Sequence, residues 1–218
     1  MECYAFSFRG HGKSPTDRPI NKLRIRHYVE DLKTVIDNIG KSPIIIAHSM
    51  GGLVTQKYLE EHDCAGAVLM ASVPLSGVLR ISTKINLTRA YGLPSILSAN
   101  LYRLVNTKNK AKWALFSDDI PERLLKNYTS QLGKESFRAF LDMLFPSVKI
   151  NPQLKAPMLV LAGDRDQLFT INENKKTAQG YNASLQIIKE MAHDMMLEKN
   201  HSKAAEAIMA WIEKNFIS

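Results

Sequence analysis

Residues 43–58 constrain this chain more than any other stretch. Pro43-Ile44-Ile45-Ile46-Ala47 is an apolar run of strand length, apolar at successive positions and therefore on both faces of a sheet. It runs directly into His48-Ser49-Met50-Gly51-Gly52, after which Leu53, Val54 and Tyr58 recur at helical spacing. A strand that passes into a helix over so few residues must turn sharply, and small residues have to flank the apex by two positions. Ala47-His48-Ser49-Met50-Gly51 meets that demand as a small-x-Ser-x-Gly pattern, in which the turn pushes the Ser49 Oγ out above the sheet. The fold this asks for is a parallel sheet with helices on its faces.

Both flanks carry the same alternation. Residues 4–8 read as a short aromatic-rich strand entering the turn Arg9-Gly10-His11-Gly12-Lys13-Ser14-Pro15. Tyr28, Val29, Leu32, Val35, Ile36 and Ile39 form a helical stripe that Gly40 ends. Residues 65–71 and 157–162 read as buried strands, 172–180 as a helix and 185–188 as a shorter strand. A final helix carries Ala205, Ile208, Trp211, Ile212 and Phe216 on its apolar stripe. The class is α/β, a mostly parallel sheet of about five strands. Residues 74–147 break the rhythm, with Leu, Tyr, Trp and Phe at helical spacings and few β-branched runs. The expected organisation is a core of 1–73 and 148–218, with 74–147 inserted as a helical lid over the strand ends, where α/β proteins bind ligands.

Charge and composition exclude several classes. With 45% hydrophobic and 23% charged residues, 9 Pro and 11 Gly, the chain is neither collagen-like nor disordered. The net charge of +8 sits almost wholly in residues 74–147, which hold 11 Lys and Arg against 5 Asp and Glu; each flank holds 9 against 8. No zinc spacing or RNA-binding aromatic motif accompanies it, so no nucleic-acid partner is expected. A basic insertion is compatible with weak contact to an anionic membrane surface. Cys3 and Cys64 are too few for a disulfide framework and too far apart for a paired metal motif. No apolar run approaches the ~18 residues of a membrane span, and residues 1–6 lack the pattern of a secretory signal. A cytoplasmic location and no cofactor are expected.

A serine of ordinary acidity needs a base, and the base an orienting carboxylate. His11 lies in a Gly-rich turn, His48 is beside the serine and must point elsewhere, and His27, His62 and His201 fall on helix surfaces. His193 occupies the loop Glu190-Met191-Ala192-His193-Asp194 after the last strand, at the same sheet edge as Ser49. The loop Gly163-Asp164-Arg165-Asp166-Gln167 offers two carboxylates at a strand end. The Gly-x-x-Asp spacing favours Asp166, with Asp164 the alternative.

Four motifs in this order resemble the α/β-hydrolase fold superfamily, of the serine lipase, lysophospholipase and esterase type. Phe8-Arg9-Gly10-His11-Gly12-Lys13-Ser14 is similar to that family's loop after its fourth strand, and Ala47-His48-Ser49-Met50-Gly51-Gly52 to its nucleophile elbow. Gly163-Asp164-Arg165-Asp166 is similar to the acid loop, and His193-Asp194-Met195-Met196-Leu197 to the histidine loop. The resemblance implies Ser49, Asp166 and His193 as a catalytic triad and the Met50 N–H as an oxyanion-hole donor. It also implies an earlier third strand, which in the family's sheet lies between those resembling 4–8 and 43–47 and whose loop supplies the second donor. The sequence begins at what resembles the fourth strand, so an N-terminally truncated form of the fold is expected, or a shift of 4–8 onto 43–47. An exposed edge left this way can recruit a second copy. The implied activity is cleavage of carboxylic esters of lipid or lysophospholipid type. The rivals are carbon–carbon bond hydrolysis by the same triad, and ligand binding without turnover.

Overall fold

A computed structural model of the chain describes residues 2–88 and 92–217. Four strands, β1 (Ile44–His48), β2 (Gly66–Met70), β3 (Met158–Gly163) and β4 (Ser184–Ile188), form one parallel sheet whose spatial order is the chain order. The register places Ile46 opposite Val68, Val68 opposite Leu159 and Leu159 opposite Ser184. Helices α1 (Ile25–Ile39) and α2 (Met50–Tyr58) flank β1. Between β2 and β3 the chain forms α3 (Leu79–Thr88), α4 (Gly92–Leu97), α5 (Lys108–Leu115), α6 (Glu122–Thr129) and α7 (Phe137–Leu144). Helix α8 (Ile171–Gly180) joins β3 to β4, and α9 (His201–Phe216) ends the fold.

The pleat sorts apolar residues into two layers. Ile45, Ala47, Ala67, Leu69, Met158 and Val160 face one way, against Tyr28 and Leu32 of α1, Leu53 and Val54 of α2 and Ala178 of α8. Val68, Met70, Leu159 and Leu161 face the other, against Ala204, Ala207, Trp211 and Ile212 of α9. At Gly66 the aromatic rings of α9 lie close against the sheet: a Cβ there would stand 2.7 Å from the Phe216 ring and 3.0 Å from that of Trp211. Helix α1 stops at Gly40, whose left-handed backbone (φ 66°) closes the last turn onto the Ile36 carbonyl. Helix α8 begins with a reciprocal capping box between Thr170 and Glu173.

Three expectations need correction. Residues 4–8 form no strand: Tyr4 and Phe6 are 59% and 42% exposed, and a groove of about 540 Å³ separates this segment from β1. A strand exists only through a ladder partner, and Phe8 instead packs its ring on Tyr28, with centroids 5.1 Å apart. The sheet therefore has four strands among the described residues, not five. Second, β1 is not covered on both faces. Trp211 and Ile212 of α9 lie over β2–β4, and β1 sits at the margin with Ile46 51% exposed. Third, His27 is buried rather than on a helix surface; its Nδ1 accepts the Arg24 N–H at 2.8 Å and satisfies the start of α1.

The inserted segment has the short helices its sequence suggests. Phe116, Ile120 and Leu125 make a small separate core, while Leu93 and Leu97 of α4 point outward. Of the apolar residues of this segment whose character suits an acyl chain, Tyr91 lies outside the described residues, as does the Ile96 side chain. Among the described residues no helix is long and apolar enough to cross a membrane.

Candidate active site

Ser49 stands between β1 and α2 in a backbone conformation (φ 51°, ψ −117°) that residues other than glycine rarely adopt. The surrounding hydrogen bonds hold it there. Its N–H donates to the Met70 carbonyl at 3.1 Å, and its carbonyl accepts from Gly52 and Val73, both at 3.0 Å. The steric demand of the turn falls one residue later than the small-x-Ser-x-Gly pattern suggests. A Cβ on Gly51 would meet nothing within 4 Å, whereas one on Gly52 would stand 2.1 Å from the Ser72 Oγ. We therefore expect Gly52→Ala to cost about 1–3 kcal/mol by overpacking, and Gly51→Ala to leave stability level or raise it by about 0.5–1 kcal/mol as a helical alanine. Urea denaturation of the two variants checks this.

The Ser49 Oγ lies 2.9 Å from His193 Nε2, and His193 Nδ1 lies 2.9 Å from Asp166 Oδ2. His193 and Asp166 are almost completely buried, at 2% and 1% side-chain exposure. The second Asp166 oxygen accepts the N–H groups of Leu168 (2.7 Å) and Phe169 (3.1 Å), which fixes the carboxylate plane. The Phe169 ring meets the His193 ring edge-on at 5.2 Å. Burial disfavours a charged His193, but the charge and hydrogen bond of Asp166 outweigh it, and the net shift is upward. Asp164 is elsewhere: its Oδ1 accepts from Glu190 N–H at 2.7 Å and bears on the backbone of the histidine loop, not on the ring. Met50 is the first residue of α2, so helix geometry leaves its N–H without an intrahelical acceptor, beside Ser49. His11 joins none of this; its Nε2 contacts Glu135 at 3.1 Å.

A pocket of about 260 Å³ opens from Ser49 and Met50. Val73 and Phe169 from the sheet ends, Ile81 and Ile85 of α3, and Phe140 and Met143 of α7 line it, so the insertion supplies much of the wall. Glu135, which also accepts from the Tyr28 hydroxyl at 3.3 Å, is the one carboxylate in the lining. Glu135 comes from a segment far away in the chain and carries no local motif, so sequence reasoning had no signal for it.

Sequence reasoning also passed over a polar cluster behind the histidine. His48 Nε2 lies 2.9 Å from the His193 carbonyl oxygen and 3.6 Å from Asp194 Oδ1. Burial, then the neighbouring His193, pushes the pKa of His48 down to about 3. Burial pushes that of Asp194 up to about 6. The Asp194 N–H donates to the Leu115 carbonyl at 2.9 Å, and the buried Glu198 accepts both the N–H and the hydroxyl of Ser117 at 2.6 Å. Among the described residues the one group of three metal-ligand side chains within 4.8 Å is His48, His193 and Asp194. Both His193 nitrogens are already engaged by Ser49 and Asp166.

Comparison with known proteins places this geometry in a family. The sequence profile of the family described as serine aminopeptidase, S33, matches residues 1–200. The probable lysophospholipase L2 of Haemophilus influenzae is 25% identical over 225 residues, spanning 90% of this chain and 69% of that one. Among solved structures, a monoacylglycerol lipase of Paleococcus ferrophilus superposes with a TM-score of 0.70 at 20% identity, over 97% of this chain and 83% of its own. An esterase of Exiguobacterium antarcticum superposes with a TM-score of 0.66 at 17% identity, over 94% and 79%. The likenesses in structure show the fold, and the profile match over residues 1–200 shows the lineage: the chain belongs to the serine aminopeptidase S33 family of α/β-hydrolases.

Proposed function

We propose that this chain is a serine hydrolase of carboxylic esters with an apolar acyl group, of lipid or lysophospholipid type. The observation that carries the reading is the hydrogen-bonded line from Ser49 through His193 to Asp166, opening into an apolar pocket. In this reading Ser49 attacks the ester carbonyl as His193 Nε2 takes its proton. Asp166 holds the ring with Nδ1–H toward itself and stabilises the imidazolium. The Met50 N–H donates to the oxyanion. His193 returns the proton to the departing alcohol, and water repeats the sequence to release the acid. The names of the Haemophilus influenzae and Paleococcus ferrophilus proteins, a probable lysophospholipase and a monoacylglycerol lipase, agree with a single-chain lipid substrate.

The pocket makes the reading quantitative. Each methylene taken from water is worth about 0.8 kcal/mol. Across a series of p-nitrophenyl esters, kcat/KM is therefore expected to rise by up to about fourfold per methylene until the pocket is filled, and then to level. A flat series would remove the pocket from the acyl site. Turnover of a ring-cleavage diketone in preference to every ester would move the triad to carbon–carbon bond hydrolysis, and tight binding without turnover would make the chain a binding protein.

Residues 74–147 act in this proposal as a lid, and their excess of cations faces an anionic surface. Co-sedimentation with vesicles of anionic phospholipid is expected to weaken as salt rises from about 50 to 300 mM, over which the Debye length shortens about 2.4-fold. Binding that is indifferent to salt would leave the charge as a solvated face.

A further inference from the structure

His48 precedes the elbow serine, and its ring turns away from the pocket toward the loop that carries His193. Among the described residues, two hydrogen bonds join the elbow to that loop. One is the Ser49 Oγ–His193 Nε2 contact; the other is His48 Nε2 to the His193 carbonyl oxygen, at 2.9 Å. A carbonyl only accepts, so His48 carries a proton on Nε2, and burial, which opposes the charged ring, leaves its Nδ1 unprotonated. The two rings lie 4.8 Å apart, with 56° between their planes. The arrangement has a geometric consequence. Nucleophile and clamp are consecutive residues on one rigid strand end, while base and clamped carbonyl belong to one residue. Movement of the loop away from the strand end stretches both bonds together.

We propose that His48 is a positioning residue, a fixed neutral donor that seats His193 over Ser49 through the His193 main-chain carbonyl. This rests on the ester-hydrolase reading. The groups around it pull in both directions, and neutrality wins. Burial opposes any charge on the ring, and His193 on the facing loop opposes a second positive ring; the His193 carbonyl and Asp166 favour the charged form and are outweighed. The Asp194 carboxylate, at 3.6 Å, lies beyond hydrogen-bond reach. A neutral clamp keeps its donor in place over the pH range in which His193 changes charge, so the geometry does not titrate with the chemistry.

Two substitutions separate the donor from the ring. His48→Phe keeps the shape and loses the N–H; His48→Gln puts an amide N–H near the same point. On a p-nitrophenyl ester, His48→Phe is expected to lower kcat by about 10–100-fold with KM within threefold, since a misplacement of about 1 Å costs rates of that order. His48→Gln is expected to recover most of the loss. Equal losses in both variants, or none in either, would overturn the proposal, because the donor would then be irrelevant. Two-bond ¹H–¹⁵N spectra of the unaltered chain decide it without activity and without a variant that must fold. His48 is expected to remain the neutral Nε2–H form from pH 8 to pH 5, and an Nδ1–H form, or titration in that range, would overturn the assignment. Failure of ester hydrolysis itself is read separately, from a wild-type chain that turns over no ester while its spectra show the expected His48 tautomer.

Discussion

Ser49→Ala is expected to abolish labelling by a fluorophosphonate probe and to lower ester turnover by about 10⁴–10⁶-fold, the range over which removal of a triad nucleophile acts. Fold stability should hardly change. The Ser49 hydroxyl makes its hydrogen bond to His193, and the bonds that fix the elbow are made by main-chain atoms that alanine retains. Alanine also tolerates φ 51° no worse than serine does. Activity-based labelling of both proteins, beside their thermal melts, is the measurement. Labelling that persists in the variant would place the reactive nucleophile elsewhere. A wild-type chain that melts cooperatively and does not label would set aside turnover, leaving the family fold as a binding scaffold.

The second large effect separates two carboxylates that stand two residues apart. Asp166→Asn is expected to lower kcat by about 10⁴-fold, because an amide at that position favours the wrong imidazole tautomer. Asp164→Asn is expected to stay within about tenfold, since an asparagine Oδ1 still accepts the Glu190 N–H. The pH profile gives a second readout. In the proposed mechanism ester attack needs neutral His193, and Asp166 holds that pKa above the ordinary imidazole value despite burial. In the unaltered chain kcat/KM therefore falls as pH drops through a raised pKa, and in Asp166→Asn the acid limb moves to lower pH. Equal losses from the two substitutions, with unmoved limbs, would mean the loop matters as scaffold and neither carboxylate orients the base.

How much of this is written in the sequence depends on whether the cause is local. The strands 66–70 and 158–163 declare themselves because parallel, two-sided burial needs unbroken apolar runs; 44–48 carries the same kind of run although one face lies at the sheet margin, and Gly40 marks a helix end because few residues accept φ 66°. The α/β class follows from that alternation. The segment 4–8 has the composition of a strand and is not one; composition states a propensity, and the ladder partner lies across a groove. Ser49 and the loops of Asp166 and His193 are legible because a tight turn and strand-end loops leave short signatures. Gly52 shows the limit of such signatures, since the contact that forbids a side chain there is Ser72, on a different strand end. Glu135, Asp194 and Glu198 were silent for the same reason: their partners Tyr28, Leu115 and Ser117 are neighbours only after folding.

The bonds from Leu115 and Ser117 to the histidine loop divide the inserted segment mechanically. Residues 115–117 are tied to Asp194 and Glu198 by three hydrogen bonds, so an excursion of that end would pull on the loop that places His193 against Ser49. Helix α4, by contrast, presents Leu93 and Leu97 to solvent. The insertion thus has one end tied to the histidine loop and another, at α4, that presents apolar side chains to solvent. If the segment is the lid proposed above, substitutions in α4 are expected to change ester preference, whereas substitutions at 115–117 are expected to disturb the Ser49–His193 contact and slow every ester alike.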